Sequence, residues 1–225
     1  MESAALLRLL QISDSAFPTG SFSHSMSLEA FHEAGELRDA DDLGRVVGLH
    51  LSTLATSDCV ALRASYGAEL EEAFRVDRLL SATKLTRELR QANASTGKRF
   101  LLSVAALGAE GATFGAFTNA VRGAASPGNL AVAYGVAAPV LGVGAEDALR
   151  AYLYSASSSL VAAGQKLVPL GGGAAQRVLY ALGEEMEWAA KTSENTVVDE
   201  MHAFAPTIDA RSMLHERQRT RLYIS

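Results

Sequence analysis

With Cys59 the only cysteine in 225 residues, neither an internal disulfide nor a thiolate metal cage is available. Cys59 lies in an apolar stretch, where an inert buried thiol is expected. Positive charge is also scarce. Twenty Lys and Arg face 25 Asp and Glu, giving a net charge of −5 with no basic stripe, which argues against general nucleic-acid binding. No apolar run reaches the roughly 20 residues of a membrane-spanning helix. The longest, Leu130 to Ala145, contains Pro139. Met1-Glu2-Ser3-Ala4-Ala5-Leu6-Leu7-Arg8 carries an acid where a secretory leader carries bases, so the cytoplasm is the expected compartment. Strand signals are equally poor: Leu101-Leu102 and Val197-Val198 do not alternate, and no Asn-Gly or Asp-Gly turn links two candidate strands.

What is present is helical periodicity. Leu43, Val46, Val47, His50, Leu51, Leu54 and Ala55 recur at i, i+3, i+4, i+7, i+8, i+11 and i+12. Asp39, Asp41 and Asp42 precede them, where a helix N-terminus favours negative charge. His50 falls inside this stripe and reads as a core or rim histidine. Val178, Leu179, Leu182, Met186 and Ala189 repeat the pattern. The segments 24–34, 58–73, 76–93, 98–107, 129–141 and 145–165 are rich in Ala, Leu, Glu and Arg and also read as helices. Breaks fall at Pro18-Thr19-Gly20, Ser126-Pro127-Gly128, Pro169 with Gly171-Gly172-Gly173, and Pro206. The expectation is an all-α fold: one compact multi-helix domain over 1–225, less regular from about Thr192.

Chemical motifs are missing. Gly97-Lys98 invites comparison with a phosphate-binding loop, but Ala92 and Arg99 stand where Gly and Ser or Thr are required. Gly171-Gly172-Gly173 lacks the last glycine of a dinucleotide fingerprint, since position 176 is Gln. No Gly-x-Ser-x-Gly elbow occurs, and His215-Glu216 is followed by Arg219 where a zinc-protease helix needs its second histidine. Glu29, His32 and Glu33 share a face if 24–34 is helical and would hold nickel or zinc weakly; a solvated helix face explains them as well. No catalytic residue, metal site or cofactor is therefore expected, and protein–protein contact is the remaining functional reading.

Five segments carry a family resemblance. Leu6 to Ile12 leads into Phe17-Pro18-Thr19-Gly20-Ser21-Phe22-Ser23-His24-Ser25, then Ser27-Leu28-Glu29. Next come Thr86-Arg87-Glu88-Leu89-Arg90-Gln91-Ala92-Asn93 with Thr96-Gly97-Lys98-Arg99, and Ala133-Tyr134-Gly135-Val136-Ala137-Ala138. Ala151-Tyr152-Leu153-Tyr154-Ser155 precedes Gln165-Lys166-Leu167-Val168-Pro169-Leu170-Gly171. Phe204-Ala205-Pro206, Asp209, His215-Glu216 and Arg221-Leu222-Tyr223-Ile224-Ser225 close the series. In this order they resemble urease accessory proteins of the UreF family nearly end to end. Two departures stand out: Ser27 replaces the glycine of a Gly-Leu-Glu triplet, and Asn129 lies where the family often has a histidine.

The resemblance implies an all-helical, commonly dimeric protein that binds a UreD/UreH-type accessory protein and a nickel-carrying UreG-type GTPase. That complex loads nickel into apo-urease in a GTP-dependent step. Nucleic acid and membrane are not expected partners. The residues expected to face partners are Phe22, His24, Glu29, Arg87, Arg90, Tyr152, Lys166, Leu170, His215, Glu216, Arg221, Leu222 and Tyr223. Residues 200–225 are expected to form a partner-binding tail, loosely held until a partner orders it. Phe22 and Tyr152 also suit core packing, and Lys166 to Gly171 also suits a plain helix end. Two alternatives stay open: a GTPase activator supplying one of Arg87, Arg90, Arg217, Arg219 or Arg221 in trans, and a helical interaction module unrelated to urease.

Overall fold

Caps and apolar periodicity divide the chain into helices, and the computed structural model describes residues 3–218 and 221–225, without the Phe22 side chain. Among the described residues there are twelve α-helices, three short 3-10 turns and no strand. The α-helices are α1 (Ser3–Ser13), α2 (Leu28–Glu33), α3 (Ala40–Thr56), α4 (Asp58–Ser65), α5 (Leu70–Thr83) and α6 (Arg87–Ala106). They continue with α7 (Ala112–Arg122), α8 (Leu130–Val140), α9 (Ala145–Leu167), α10 (Gly172–Ala181), α11 (Gly183–Thr192) and α12 (Pro206–His215). None of them is long and apolar enough to cross a membrane.

α3 shows how local sequence sets an element. The Asp39 carboxylate accepts hydrogen bonds from the Asp41 and Asp42 amides, and Leu43, Val46, Val47, His50, Leu51 and Ala55 form its buried face. Each such aliphatic side chain contributes roughly 1.5–3 kcal/mol on burial.

Helix boundaries depart from sequence expectation at three places. The expected 58–73 helix breaks after Ser65, where Gly67 takes a φ of +65°. The 76–93 helix breaks at Lys84-Leu85, because the Thr86 hydroxyl accepts from the Leu89 amide and starts α6 anew. Conversely, α6 runs unbroken through Thr96-Gly97. A Cβ on Gly97 would lie 2.0 Å from the Gly128 carbonyl oxygen, so the glycine is there for close backbone approach.

α8 is the axis of the molecule. Its residues from Ala131 to Ala138 are all buried, and α4, α6 and α9 pack around it. The rings of Phe100 and Tyr134 stack at 4.3 Å, and Tyr152 meets Tyr134 edge-on at 5.6 Å. Two buried carboxylates organise the polar interior. Asp77 accepts from Ser126 Oγ at 2.6 Å and from the Gly128 and Asn129 amides at 2.7 and 2.8 Å, which fixes the entry into α8. Asp58 pairs with Lys84 Nζ at 2.7 Å and accepts from Asn93 Nδ2 and the Tyr152 hydroxyl at 3.1 and 3.0 Å. Burial alone would raise the Asp58 pKa; Lys84 and these donors outweigh it and hold the carboxyl below its ordinary value. Cys59 is buried, and its thiol is pushed far up by desolvation.

Candidate docking site

The residues singled out by sequence largely converge where α2, the first turn of α6 and the C-terminal segment meet. After the 3-10 turn Ser21–Ser23, Met26 and Ser27 both take positive φ, +48° and +76°, to start α2. Ser27 occupies this left-handed position without glycine's freedom, at a cost of order 1 kcal/mol. The turn aims His24, Ser25 and Glu29 at the chain's last residues. Ser225 Oγ lies 2.8 Å from His24 Nδ1, and its carbonyl oxygen accepts from Ser25 Oγ and from the Met26 amide at 2.9 and 3.0 Å. Glu29 Oε1 and Oε2 accept the Leu222 and Tyr223 amides at 2.7 and 3.0 Å.

His215, on the last turn of α12, is fully buried between two carboxylates. Nδ1 lies 2.8 Å from Glu88 Oε2, and Nε2 lies 3.2 Å from Glu29 Oε2. Arg221 Nη1 donates to Glu88 Oε1 at 2.6 Å, so His215 and Arg221 join the two carboxylates in one largely buried network. Glu216 Oε1 accepts the Glu88 amide at 3.2 Å, capping α6 from outside, while its Oε2 lies 3.5 Å from Arg87. The Tyr223 hydroxyl donates to the Ala163 carbonyl at 3.2 Å, with Lys166 Nζ 5.6 Å from its ring centroid. His24 is held neutral chiefly by burial, with Arg99 acting in the same direction and Glu88 opposing.

Burial alternates along the terminal segment. Tyr223 and Ser225 point inward; Leu222 and Ile224 remain 63% and 64% exposed. Met213 and Leu214 on α12 are exposed too, as is the arginine pair Arg87 and Arg217. The result is an apolar and basic outer face over a polar, sealed underside.

Other expected site residues lie elsewhere. Tyr152 is a core side chain bonded to Asp58, and Arg90 donates to the Lys84 and Leu85 carbonyls at the end of α5. Leu170 packs against the core after α9. The Phe22 side chain and Arg219 lie outside the described residues. In this structure the tail is tied to Glu29, Glu88 and their partners, a polar anchor that apolar periodicity could not reveal. Glu88, which sequence did not single out, is buried in the first turn of α6; a lone acid there reads as ordinary dipole complementation. Glu29, His32 and Glu33 do not converge. His32 Nδ1 lies 2.9 Å from the Leu37 carbonyl, and Glu33 accepts from Gln218. Among the described residues no group of three or more His, Cys, Asp or Glu is placed to hold a metal ion.

A family model described as UreF matches residues 37–183. The chain belongs to the UreF family. Urease accessory protein UreF of Paenarthrobacter aurescens is 34% identical over 226 residues, covering all of both chains. The protein of the same name from Kocuria rhizophila is 32% identical, covering 99% of this chain and 97% of its own. That of Corynebacterium glutamicum is also 32% identical, covering 96% of each. This UreF-family chain thus aligns over nearly its whole length with those relatives.

Proposed function

We propose that this chain is a non-catalytic scaffold in cytoplasmic urease maturation. It presents the outer face of its docked tail to a UreD/UreH-type accessory protein, and their complex, as a dimer of this chain, engages a UreG-type GTPase that brings nickel to apo-urease in a GTP-dependent step. The observation that carries this reading is the pairing of full-length kinship to urease accessory proteins with a built docking face. That face sets Leu222, Ile224, Met213 and Leu214 beside exposed arginines on a rigid polar base, the composition of an interface centre.

Leu222→Asp and Ile224→Asp test it, because both side chains already point to solvent. Each variant should melt like the parent yet fail to co-purify with the UreD/UreH-type protein and fail to support urease activation. Undiminished co-purification overturns the assignment. Arg87, 67% exposed and only loosely paired with Glu216, favours a second reading, in which it is offered to the partner GTPase. GTP turnover by that GTPase, with parent and with Arg87→Ala, separates stimulation from scaffolding.

A further inference from the structure

A chamber of about 140 Å³ is walled by residues of the 19–26 turn and of α3, α6, α8, α9 and α12. Three side chains on its wall, His50, Thr96 and Asp209, are only 8%, 3% and 8% exposed. His50 Nε2, Thr96 Oγ1 and Asp209 Oδ2 have no hydrogen-bond partner in the protein. One buried polar atom without a partner is tolerable; three on the wall of one cavity mark a place where a ligand completes the hydrogen bonding.

The donor and acceptor inventory defines the ligand. The His50 ring bonds the Met26 backbone, and burial, reinforced by Lys84, lowers its pKa to about 4, so the imidazole is neutral and Nε2 offers a lone pair. The Asp209 carboxylate offers lone pairs, and the Thr96 hydroxyl accepts or donates. Among charged groups on the wall, Lys84 is already matched by Asp58 at 2.7 Å, and His24 is held neutral by its burial. Among the described residues no ion pair reaches Asp209; burial raises its carboxyl pKa, and the charge of Lys84 opposes that rise. Leu54, Leu130, Leu160 and Ile208 supply an apolar remainder. A cavity of about 150 Å³ accommodates a benzene-sized molecule, which sets an upper size of roughly six heavy atoms.

We propose that this chamber binds a small primary alkylammonium ion. Its N–H groups donate to the unpartnered acceptors, its charge neutralises Asp209, and its short chain packs on the leucines and Ile208. The site lies behind the docking face and shares α12, His24 and Met26 with it.

The test uses the full chain and n-butylammonium chloride, with 1-butanol as the neutral isostere and sodium chloride at matched ionic strength. Thermal melting and methyl NMR of Ile208 report binding. Saturable stabilisation and Ile208 shifts with butylammonium, absent with sodium chloride and at least ten-fold weaker with butanol, are expected. Asp209→Asn should weaken binding at least ten-fold, in line with loss of a charged hydrogen bond. Thr96→Val, nearly isosteric, should weaken it several-fold and serves if the first variant does not fold. No saturable binding, equal affinity for butanol, or affinity unchanged in a folded variant would each overturn the proposal.

Discussion

Replacing Glu29 by glutamine keeps the side chain's shape and removes its charge. Both carboxylate oxygens are committed: Oε1 accepts the Leu222 amide at 2.7 Å, and Oε2 accepts the Tyr223 amide at 3.0 Å while facing His215 Nε2 at 3.2 Å. A side-chain amide has one acceptor oxygen, so whichever way the substituted side chain turns, its NH₂ meets a donor. A hydrogen bond to a charged group contributes about 1.5–3 kcal/mol. Loss of one, with weakening of another, therefore loosens the tail by about 2–4 kcal/mol, roughly 30- to 1,000-fold in its opening equilibrium. Native-state hydrogen exchange of Glu29→Gln reads this directly. The Leu222, Tyr223 and Ile224 amides, bonded to Glu29 and to the Ser23 carbonyl, should exchange faster by that factor, while α8 amides should change far less. Tail amides as slow in the variant as in the parent would refute the claim that this carboxylate holds the tail.

His50 makes stability pH-dependent. Its pKa falls from 6.5 to about 4 on folding, so the neutral ring's contribution is fully present above pH 6.5 and is lost as pH drops towards 4. The total is about 3 kcal/mol, and urea titrations of His50→Gln should show a flatter slope in that window. Ser27→Gly should stabilise by about 1 kcal/mol, since relief of the left-handed backbone and of a buried, unpartnered hydroxyl exceeds glycine's extra unfolded-state entropy; the urea midpoint checks it. Gly97→Ala should destabilise by about 3 kcal/mol or more, because the new Cβ meets backbone rather than a side chain that could move; a lowered melting temperature is the readout.

Local signals were legible wherever a residue's job is done within its own helix. The stripe from Leu43 to Ala55 and the acids before it are sufficient for α3, and the apolar run around Pro139 is the central helix α8. Gly97 misleads, because what keeps it in α6 is the 128–130 backbone, a neighbour that no window of sequence contains. The same holds for the docking site. His215 and Glu29 were recognisable as family residues, but Glu88, Asp58 and Asp209 take their meaning from partners far away in the chain. Tyr152 illustrates the reverse: a residue of a recognisable motif that supports the core instead of the surface.

The distance along the chain between Glu29 and its partners also bears on biosynthesis. The amides it binds come 193 and 194 residues later, and His215 follows Glu88 by 127. A chain made from the N-terminus can assemble α3 to α9 around α8 while still attached to the ribosome, but Glu29 and Glu88 then lack their partners His215 and Arg221. Only when His215, Arg221, Leu222 and Tyr223 emerge does the network close, in a late step. The docking face is laid down in that same step. On the proposed function, a nascent chain lacks the face that Leu222 and Ile224 present, and assembly would wait until synthesis has passed this point.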